Sequence, residues 1–130
     1  MNGTPVRVLV VDDDADGAEA MAMAFQLDGH EVATANDPLT ALERARRLRP
    51  RVVLLDLALS GGLDGYELAR RLRWMPGMEG ACLIAVTGHA SEEHRRRAHE
   101  AGFDSFLAKP VDLSALRQLA GRLLRRLRTS

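Results

Sequence analysis

The sequence has few residues that could cross-link the chain or hold it in a membrane. Its single cysteine, Cys82, excludes an internal disulfide, so a reducing cytoplasm is the expected location. No apolar run is long enough to cross a bilayer, and no signal-peptide pattern occurs. We therefore expect neither a membrane anchor nor a secretory leader.

An excess of one charge is also lacking. Lysine and arginine together number 18, and aspartate and glutamate also number 18, which gives a formal net charge of +0. This balance provides no overall positive field to attract nucleic acid or an anionic membrane. We expect neither as a partner, so partner choice should depend on local contacts. Lysine is scarcest of the charged residues, because Lys109 is the only one in the chain.

Short apolar runs alternate with longer segments of helical periodicity. The chain has 130 residues, of which 46% are hydrophobic, so we expect one domain (1–130) with a core over residues 5–127 and no output domain. The first, third and fourth runs are almost continuously apolar, which is typical of parallel strands covered on both faces. The predicted strands are residues 6–11, 31–35, 52–55, 82–86 and 106–108.

The segments between these strands carry helix signals. Asp37, Ser91 and Asp112 stand where helices should begin, and Gly29 and Gly102 stand where helices should end. Five strand–helix units with short connections predict an α/β fold, a doubly wound five-stranded parallel sheet with helices on both faces. The apolar positions at helical spacing include Ala18, Met21, Phe25, Leu42, Leu48, Leu113, Leu116, Ala120, Leu123, Leu124 and Leu127.

Polar side chains follow four of the predicted strands. Asp12 and Asp13 follow the first strand, Asp56 the third, Thr87 the fourth and Lys109 the fifth. In an open parallel sheet, ligands bind outside the carboxyl ends of the strands. Grouped carboxylates repel one another unless a cation joins them, and Mg²⁺ prefers oxygen ligands. Together with a hydroxyl and a compact ammonium, such a site suits phosphoryl transfer.

Five segments carry a family resemblance, and they are VLVVDDD, VVLLDL, LDGYELARRLR, LIAVTGHA and AGFDSFLAKPVD. In this order and at these separations, they make almost the whole chain resemble the receiver domain of bacterial two-component response regulators. The resemblance implies a flavodoxin-like fold with strand order 2-1-3-4-5. It also implies a signalling protein that catalyses only its own phosphorylation and dephosphorylation. A stand-alone regulator, a phosphate shuttle and the receiver of a hybrid sensor kinase all stay open.

The resemblance implies a role for each polar residue at the strand ends. Asp56 would accept a phosphoryl group from a histidine kinase or a histidine phosphotransferase. Asp12, Asp13 and Asp56 would hold Mg²⁺ with the backbone carbonyl of Ala58. The expected partners are that kinase or phosphotransferase and a downstream protein target, with the chain a monomer or a weak phosphorylation-dependent dimer.

The resemblance also implies a conformational switch. Thr87 and Lys109 would contact the phosphoryl group. Phe106 would be the aromatic switch residue, whose ring moves into the space that Thr87 vacates. We expect a cis bond between Lys109 and Pro110, which would direct the ammonium toward Asp56. The segment DLALSGGLDG departs from the family pattern, because it is one residue longer and has Ser60 and Gly61 where a proline is usual.

Three other interpretations compete with this one. DDDADG resembles the start of a calcium-binding EF-hand loop, but Met23 occupies the place of the required bidentate glutamate. A haloacid dehalogenase-type phosphatase would use Asp12 as nucleophile and Asp14 as acid, but it needs an acidic pair after Lys109, where only Asp112 stands. A degenerate receiver that only docks proteins stays open as an alternative.

Overall fold

Strands and helices alternate along the chain as predicted. The computed structural model describes residues 5–59, 63–88 and 91–129, with the side chains of residues 124 and 126–129 left aside. The strands are β1 (Arg7–Val11), β2 (Glu31–Ala35), β3 (Val52–Asp56), β4 (Cys82–Thr87) and β5 (Ser105–Ala108). The helices are α1 (Ala15–Leu27), α2 (Pro38–Leu48), α3 (Gly65–Trp74), α4 (Glu92–Glu100) and α5 (Leu113–Thr129).

The strands form one parallel sheet in the order β2-β1-β3-β4-β5, which confirms the predicted topology. Alternate side chains of each strand project to opposite faces of the sheet. Val8 and Val10 of β1 therefore pack in one core, and Leu9 and Val11 pack in the other. Covering both faces explains why the central strands are apolar at nearly every position.

The two cores differ in the helices that cover them. The first core lies under α2, α3 and α4, and the second lies under α1 and α5. Leu116 is fully buried in the second core, whereas Leu113, which shares its helical spacing, is 39% exposed. Leu113 is the first residue of α5. Leu42 and Leu48 are only partly buried, and the side chains of residues 124 and 127 lie outside the description.

The predicted helix boundaries are confirmed by their capping contacts. Asp37, Ser91 and Asp112 accept hydrogen bonds from backbone N–H groups in the first turns of α2, α4 and α5. Gly29 and Gly102 have positive φ angles of 86° and 104°, which glycine adopts without strain. Among the residues described, every helix is too short or too polar to traverse a lipid bilayer.

A close approach of backbones positions the end of β3. The N–H of Gly65 donates a hydrogen bond to the carbonyl of Leu57 at 3.3 Å. A Cβ atom on Gly65 would lie 2.6 Å from Leu57 Cα and 2.9 Å from the carbonyl oxygen of Asp56. Backbone atoms cannot move aside as a flexible side chain can. Glycine at position 65 therefore lets the start of α3 contact the backbone on which Asp56 stands.

We predict that Gly65→Ala lowers the free energy of unfolding by about 1–3 kcal/mol, because the added methyl overlaps backbone atoms. Urea denaturation of the two proteins measures the difference. Gly80→Ala is the matched control, since a Cβ atom at Gly80 meets nothing within 4 Å. An equal effect of the two substitutions would contradict the proposed close approach.

Candidate functional site

The polar residues singled out from the sequence converge at one edge of the sheet. Asp12 and Asp13 directly follow β1, and Asp56 is the last residue of β3. Thr87 is the last residue of β4, and Lys109 directly follows β5. Because all five strands are parallel, their carboxyl ends lie on the same edge, which is where ligands bind in such sheets.

Three carboxylates form the centre of this site. Asp12, Asp13 and Asp56 each offer an oxygen within 4.8 Å of the others. Asp12 is 1% exposed and Asp56 is 3% exposed, whereas Asp13 faces solvent. Buried carboxylates are costly unless hydrogen bonds or cations compensate their charge. The cluster is therefore closed on the protein side and open at Asp13.

Backbone hydrogen bonds hold the two buried carboxylates. Oδ1 of Asp12 accepts from the N–H of Asp14 at 2.9 Å, and Oδ1 of Asp56 accepts from the N–H of Ala58 at 2.9 Å. The side chain of Asn36 donates to the backbone carbonyl of Asp12, also at 2.9 Å. These contacts orient the carboxylates, whereas the metal-binding role of the Ala58 carbonyl stays a prediction. Ser60 and Gly61 of the longer loop lie outside the described residues.

Lys109 is the cation that faces the buried carboxylates. Its Nζ donates to Oδ2 of Asp56 at 2.9 Å and lies 3.6 Å from Oδ2 of Asp12. Its backbone N–H donates to the carbonyl of Thr87 at 2.7 Å, and the Lys109–Pro110 bond is cis, as predicted. A small ammonium on a flexible stem can lie between two carboxylates, whereas arginine presents a wide planar fork. This geometry explains why lysine is used here in a chain otherwise rich in arginine.

The electrostatics of the cluster favour a further cation. Burial raises the pKa of Asp12, and the charge of Asp56 adds to that effect against opposing contributions from Asp14 N–H and Lys109. Burial lowers the pKa of Lys109, but its hydrogen bond to Asp56 and the charges of Asp56 and Asp12 outweigh burial and raise it. Three carboxylates thus meet one ammonium among the described residues. An oxygen-only donor set with excess negative charge fits a hard divalent ion such as Mg²⁺.

Thr87 and Phe106 lie on the α4 side of the same sheet edge. Thr87 is 2% exposed. Phe106 of β5 pairs with Ala85 of β4, and Ala85 lies two residues before Thr87. The side chains of Phe106 and Thr87 therefore point to the same face of the sheet. Phe106 is partly buried against the core under α2, α3 and α4. Thr87 and Phe106 therefore lie along one face of the sheet.

Sequence reasoning missed two contacts that involve α4. The guanidinium of Arg95 lies 4.8 Å from the ring centroid of Phe106, and that of Arg97 lies 4.2 Å from the ring centroid of Tyr66. Ala98 is the one buried residue of this helix, so these contacts add to a small apolar attachment. No local pattern signals these pairs, because arginine and ring come from different elements.

The family described as "Response regulator receiver domain" matches residues 8–120 of the chain. The chain belongs to the response regulator receiver family. Its sheet order and the acidic cluster at the carboxyl ends of β1 and β3 agree with that membership. The fold implied by the sequence resemblance is thereby confirmed.

Individual relatives cover the receiver well. The chain is 38% identical over 123 residues to the transcriptional regulatory protein PrrA of Mycobacterium tuberculosis. The aligned segment covers 95% of this chain but 52% of that protein. An uncharacterized 14.6 kDa protein of Leptolyngbya boryana is 37% identical over 105 residues, covering 81% of this chain and 79% of that protein. The receiver thus spans about half the length of its mycobacterial relatives.

Solved structures agree with the fold. The chemotaxis response regulator CheY4 of Vibrio cholerae has a TM-score of 0.85 at 26% identity, covering 92% of this receiver and 99% of that chain. A CheY-like receiver domain protein of Methanospirillum hungatei has a TM-score of 0.84 at 26% identity, covering 98% of this receiver and 100% of that chain.

We predict that Asp12→Asn stabilises the receiver at neutral pH when divalent cations are absent. A raised pKa in the folded state means that the charged form of Asp12 is unfavourable above that pKa and is relieved as pH falls through it. The advantage of the variant should therefore shrink as pH is lowered. Denaturant unfolding across a pH series in chelator measures this.

Asp16→Asn is the matched control, because Asp16 is an exposed acid in the first turn of α1 and lies outside the cluster. Removing a favourable interaction with the helix N-terminus should cost about 0.3–1 kcal/mol, the opposite sign. An Asp12→Asn protein less stable than wild type at neutral pH would contradict the electrostatic account.

Proposed function

We propose that this receiver is phosphorylated on Asp56 by a phosphohistidine of a histidine kinase or histidine phosphotransferase and signals through protein contacts. The observation that carries the proposal is the setting of the Asp56 carboxylate. One oxygen accepts from Ala58 N–H and the other from Lys109 Nζ, beside the carboxylates of Asp12 and Asp13. A degenerate receiver that only docks proteins has no need of this set of partners.

The proposed reaction moves a phosphoryl group between two nucleophiles. An oxygen of Asp56 forms a bond to phosphorus while the phosphorus–nitrogen bond of the phosphohistidine breaks, and the imidazole nitrogen leaves with the electron pair. The Lys109 ammonium donates to Oδ2 of Asp56 at 2.9 Å and so helps to orient the carboxylate that attacks phosphorus. The same ammonium is placed to balance charge on the phosphoryl oxygens.

Mg²⁺ is the proposed cofactor. Asp12, Asp13 and Asp56 would hold it together with the backbone carbonyl of Ala58, and their oxygen donors suit this ion. When bound, Mg²⁺ neutralises carboxylate charge and binds phosphoryl oxygens. The protein residues fix the position of Asp56, exclude water from its inner side and supply the second positive charge from Lys109.

We propose that Thr87 and Phe106 transmit the structural effect of phosphorylation at Asp56 to α4. A phosphoryl oxygen at Asp56 would accept a hydrogen bond from the Thr87 hydroxyl, and Phe106 would follow on the same face of the sheet. The contact between Arg95 and the Phe106 ring would pass that movement to α4.

We predict that beryllofluoride, a phosphoryl mimic, perturbs amide NMR signals at Thr87, Phe106 and α4 in the wild-type receiver. In Thr87→Ala the changes should stay near Asp56, because the hydroxyl that links the two regions is gone. If the mimic binds to the wild type yet its changes remain near Asp56, the receiver carries phosphate without this switch.

The proposed partners are proteins rather than nucleic acid. One relative is named a transcriptional regulatory protein, but the receiver matches 52% of its length. The formal charge of +0 gives the receiver itself no general attraction for a phosphate backbone. Contacts with a kinase and with a downstream protein are thus the proposed output of this domain.

We predict that acetyl phosphate adds one phosphoryl group to the receiver when Mg²⁺ is present. Intact-protein mass spectrometry detects the product, whose acyl phosphate linkage should be lost in both acid and base. Asp56→Asn should gain none, because an amide oxygen is a poor nucleophile. Asp64→Asn is the control, since Asp64 caps α3 outside the cluster. Equal labelling of wild type and Asp56→Asn would refute the assignment.

We also predict that Mg²⁺ stabilises the receiver by about 1.4 kcal/mol when its concentration is ten times the dissociation constant. Relief of repulsion within the cluster is the cause. Asp13→Asn should remove most of this gain, whereas Asp16→Asn should retain it. Thermal unfolding with Mg²⁺ and with chelator measures the effect. A wild-type melting temperature that ignores Mg²⁺ would count against the metal site.

A further inference from the structure

Charge is segregated along this chain although its total is zero. Residues 8–43 contain no lysine or arginine, and they hold half of the aspartates and glutamates. Helices α2 and α3 together carry six arginines and two glutamates. Helix α1 therefore presents an acidic surface, beside the arginine-bearing α5 on the same face of the sheet, and α2 and α3 present a basic surface on the opposite face.

A groove runs along the basic surface. It has a volume of about 620 Å³, and we name it the α2–α3 groove. Glu67 lines the groove and lies 3.6 Å from both Arg70 and Arg71. All three side chains are about half exposed, so these ion pairs exchange readily with other partners. The apolar walls of the groove are Leu42, Trp74, Met75 and Pro76, and its two cations are Arg70 and Arg71.

The aromatic side chain of this groove is Trp74. It is 87% exposed at the end of α3, and Leu39, one turn before Leu42 on α2, is 77% exposed. Exposed apolar side chains beside arginines are typical of protein-binding surfaces, in which tryptophan and arginine are enriched.

The acidic surface carries its own exposed apolar residues. Met23 is 59% exposed and Leu27 is 74% exposed, on a helix that contains no lysine or arginine. Asp16, Glu19, Met23 and Leu27 follow one another at spacings of three and four residues, so they form one stripe along α1. We name this the α1 stripe.

We propose that the α2–α3 groove binds the α1 stripe of a second copy of this chain. The groove offers an exposed apolar surface with cations, and the stripe offers exposed apolar side chains with acids. The spacing also matches, because Arg70 and Trp74 are four residues apart on α3, as Glu19 and Met23 are on α1. Four residues span about 6 Å of helix in both cases.

The contact is between copies and runs head to tail. Helix α1 packs on one face of the sheet while α2 and α3 pack on the other, so a chain cannot place its own α1 stripe in its own groove. Two different surfaces meet in this interface, which makes it heterologous. It uses none of the carboxylates around Asp56, so it stands or fails independently of the proposed phosphorylation.

The tryptophan makes the contact directly measurable, because Trp74 is the only tryptophan in the chain. As the wild-type protein is concentrated from about 10 µM to about 1 mM, the emission maximum of Trp74 should move to shorter wavelength. The average mass from sedimentation equilibrium should rise over the same range. Wild-type protein that stays monomeric with unchanged emission would overturn the proposal.

Two variants separate the two surfaces. Glu19→Arg/Met23→Ser disables the α1 stripe and keeps Trp74, and it should weaken association about tenfold. Trp74→Ala disables the groove, keeps the stripe, and should weaken association about thirtyfold. All three side chains are exposed, so far-UV circular dichroism and melting temperature should match those of the wild type.

Mixing the variants gives the decisive result. The stripe variant supplies the only intact groove and the only tryptophan, and the groove variant supplies the only intact stripe. The mixture should recover the wavelength shift and form dimers that do not grow further, because each molecule has one working surface. A mixture without a shift, or association in either variant equal to that of the wild type, would show that the copies meet elsewhere or that the groove serves another partner.

Discussion

The repulsion between two buried carboxylates is the constraint on which this structure depends. Asp12 and Asp56 are almost completely buried beside one another, and Lys109 is the ammonium that lies close to both. Such an arrangement costs free energy in an apolar interior, so it persists only where the surrounding fold provides enough stability. The free energy gained by folding therefore has to exceed the cost of burying these two carboxylates.

The sheet supplies that stability and sets the geometry. Strands β1, β3 and β4 are apolar on both faces, and two separate cores hold them in register. The register leaves Asp56 beside Val86 and Thr87 beside Ala108, so the edge that holds the acidic cluster is a direct consequence of strand pairing. The close approach of Gly65 to the backbone after Asp56 then brings α3 against this edge.

Much of this arrangement follows from the sequence, and the limits have physical causes. Apolar runs locate the strands to within one residue or so, because burial on both faces leaves a strong local signal. The strand order came from family resemblance, since local patterns do not encode which strands pair. Leu113 is 39% exposed although Leu116 is buried, because helical spacing does not say where a helix first meets its core. Arg95 on Phe106 and Arg97 on Tyr66 were missed because side chains of separate elements meet only in the folded protein.

We propose that the carboxylate cluster and Lys109 form a phosphoryl-acceptor site that requires a divalent cation. Fluorine NMR of the receiver with beryllofluoride, recorded with Mg²⁺ and with chelator, tests this most directly. Protein-bound fluorine signals should appear only with Mg²⁺, should be absent in Asp56→Asn, and should persist in Asp64→Asn. Bound signals of equal intensity without Mg²⁺, or in Asp56→Asn, would contradict it.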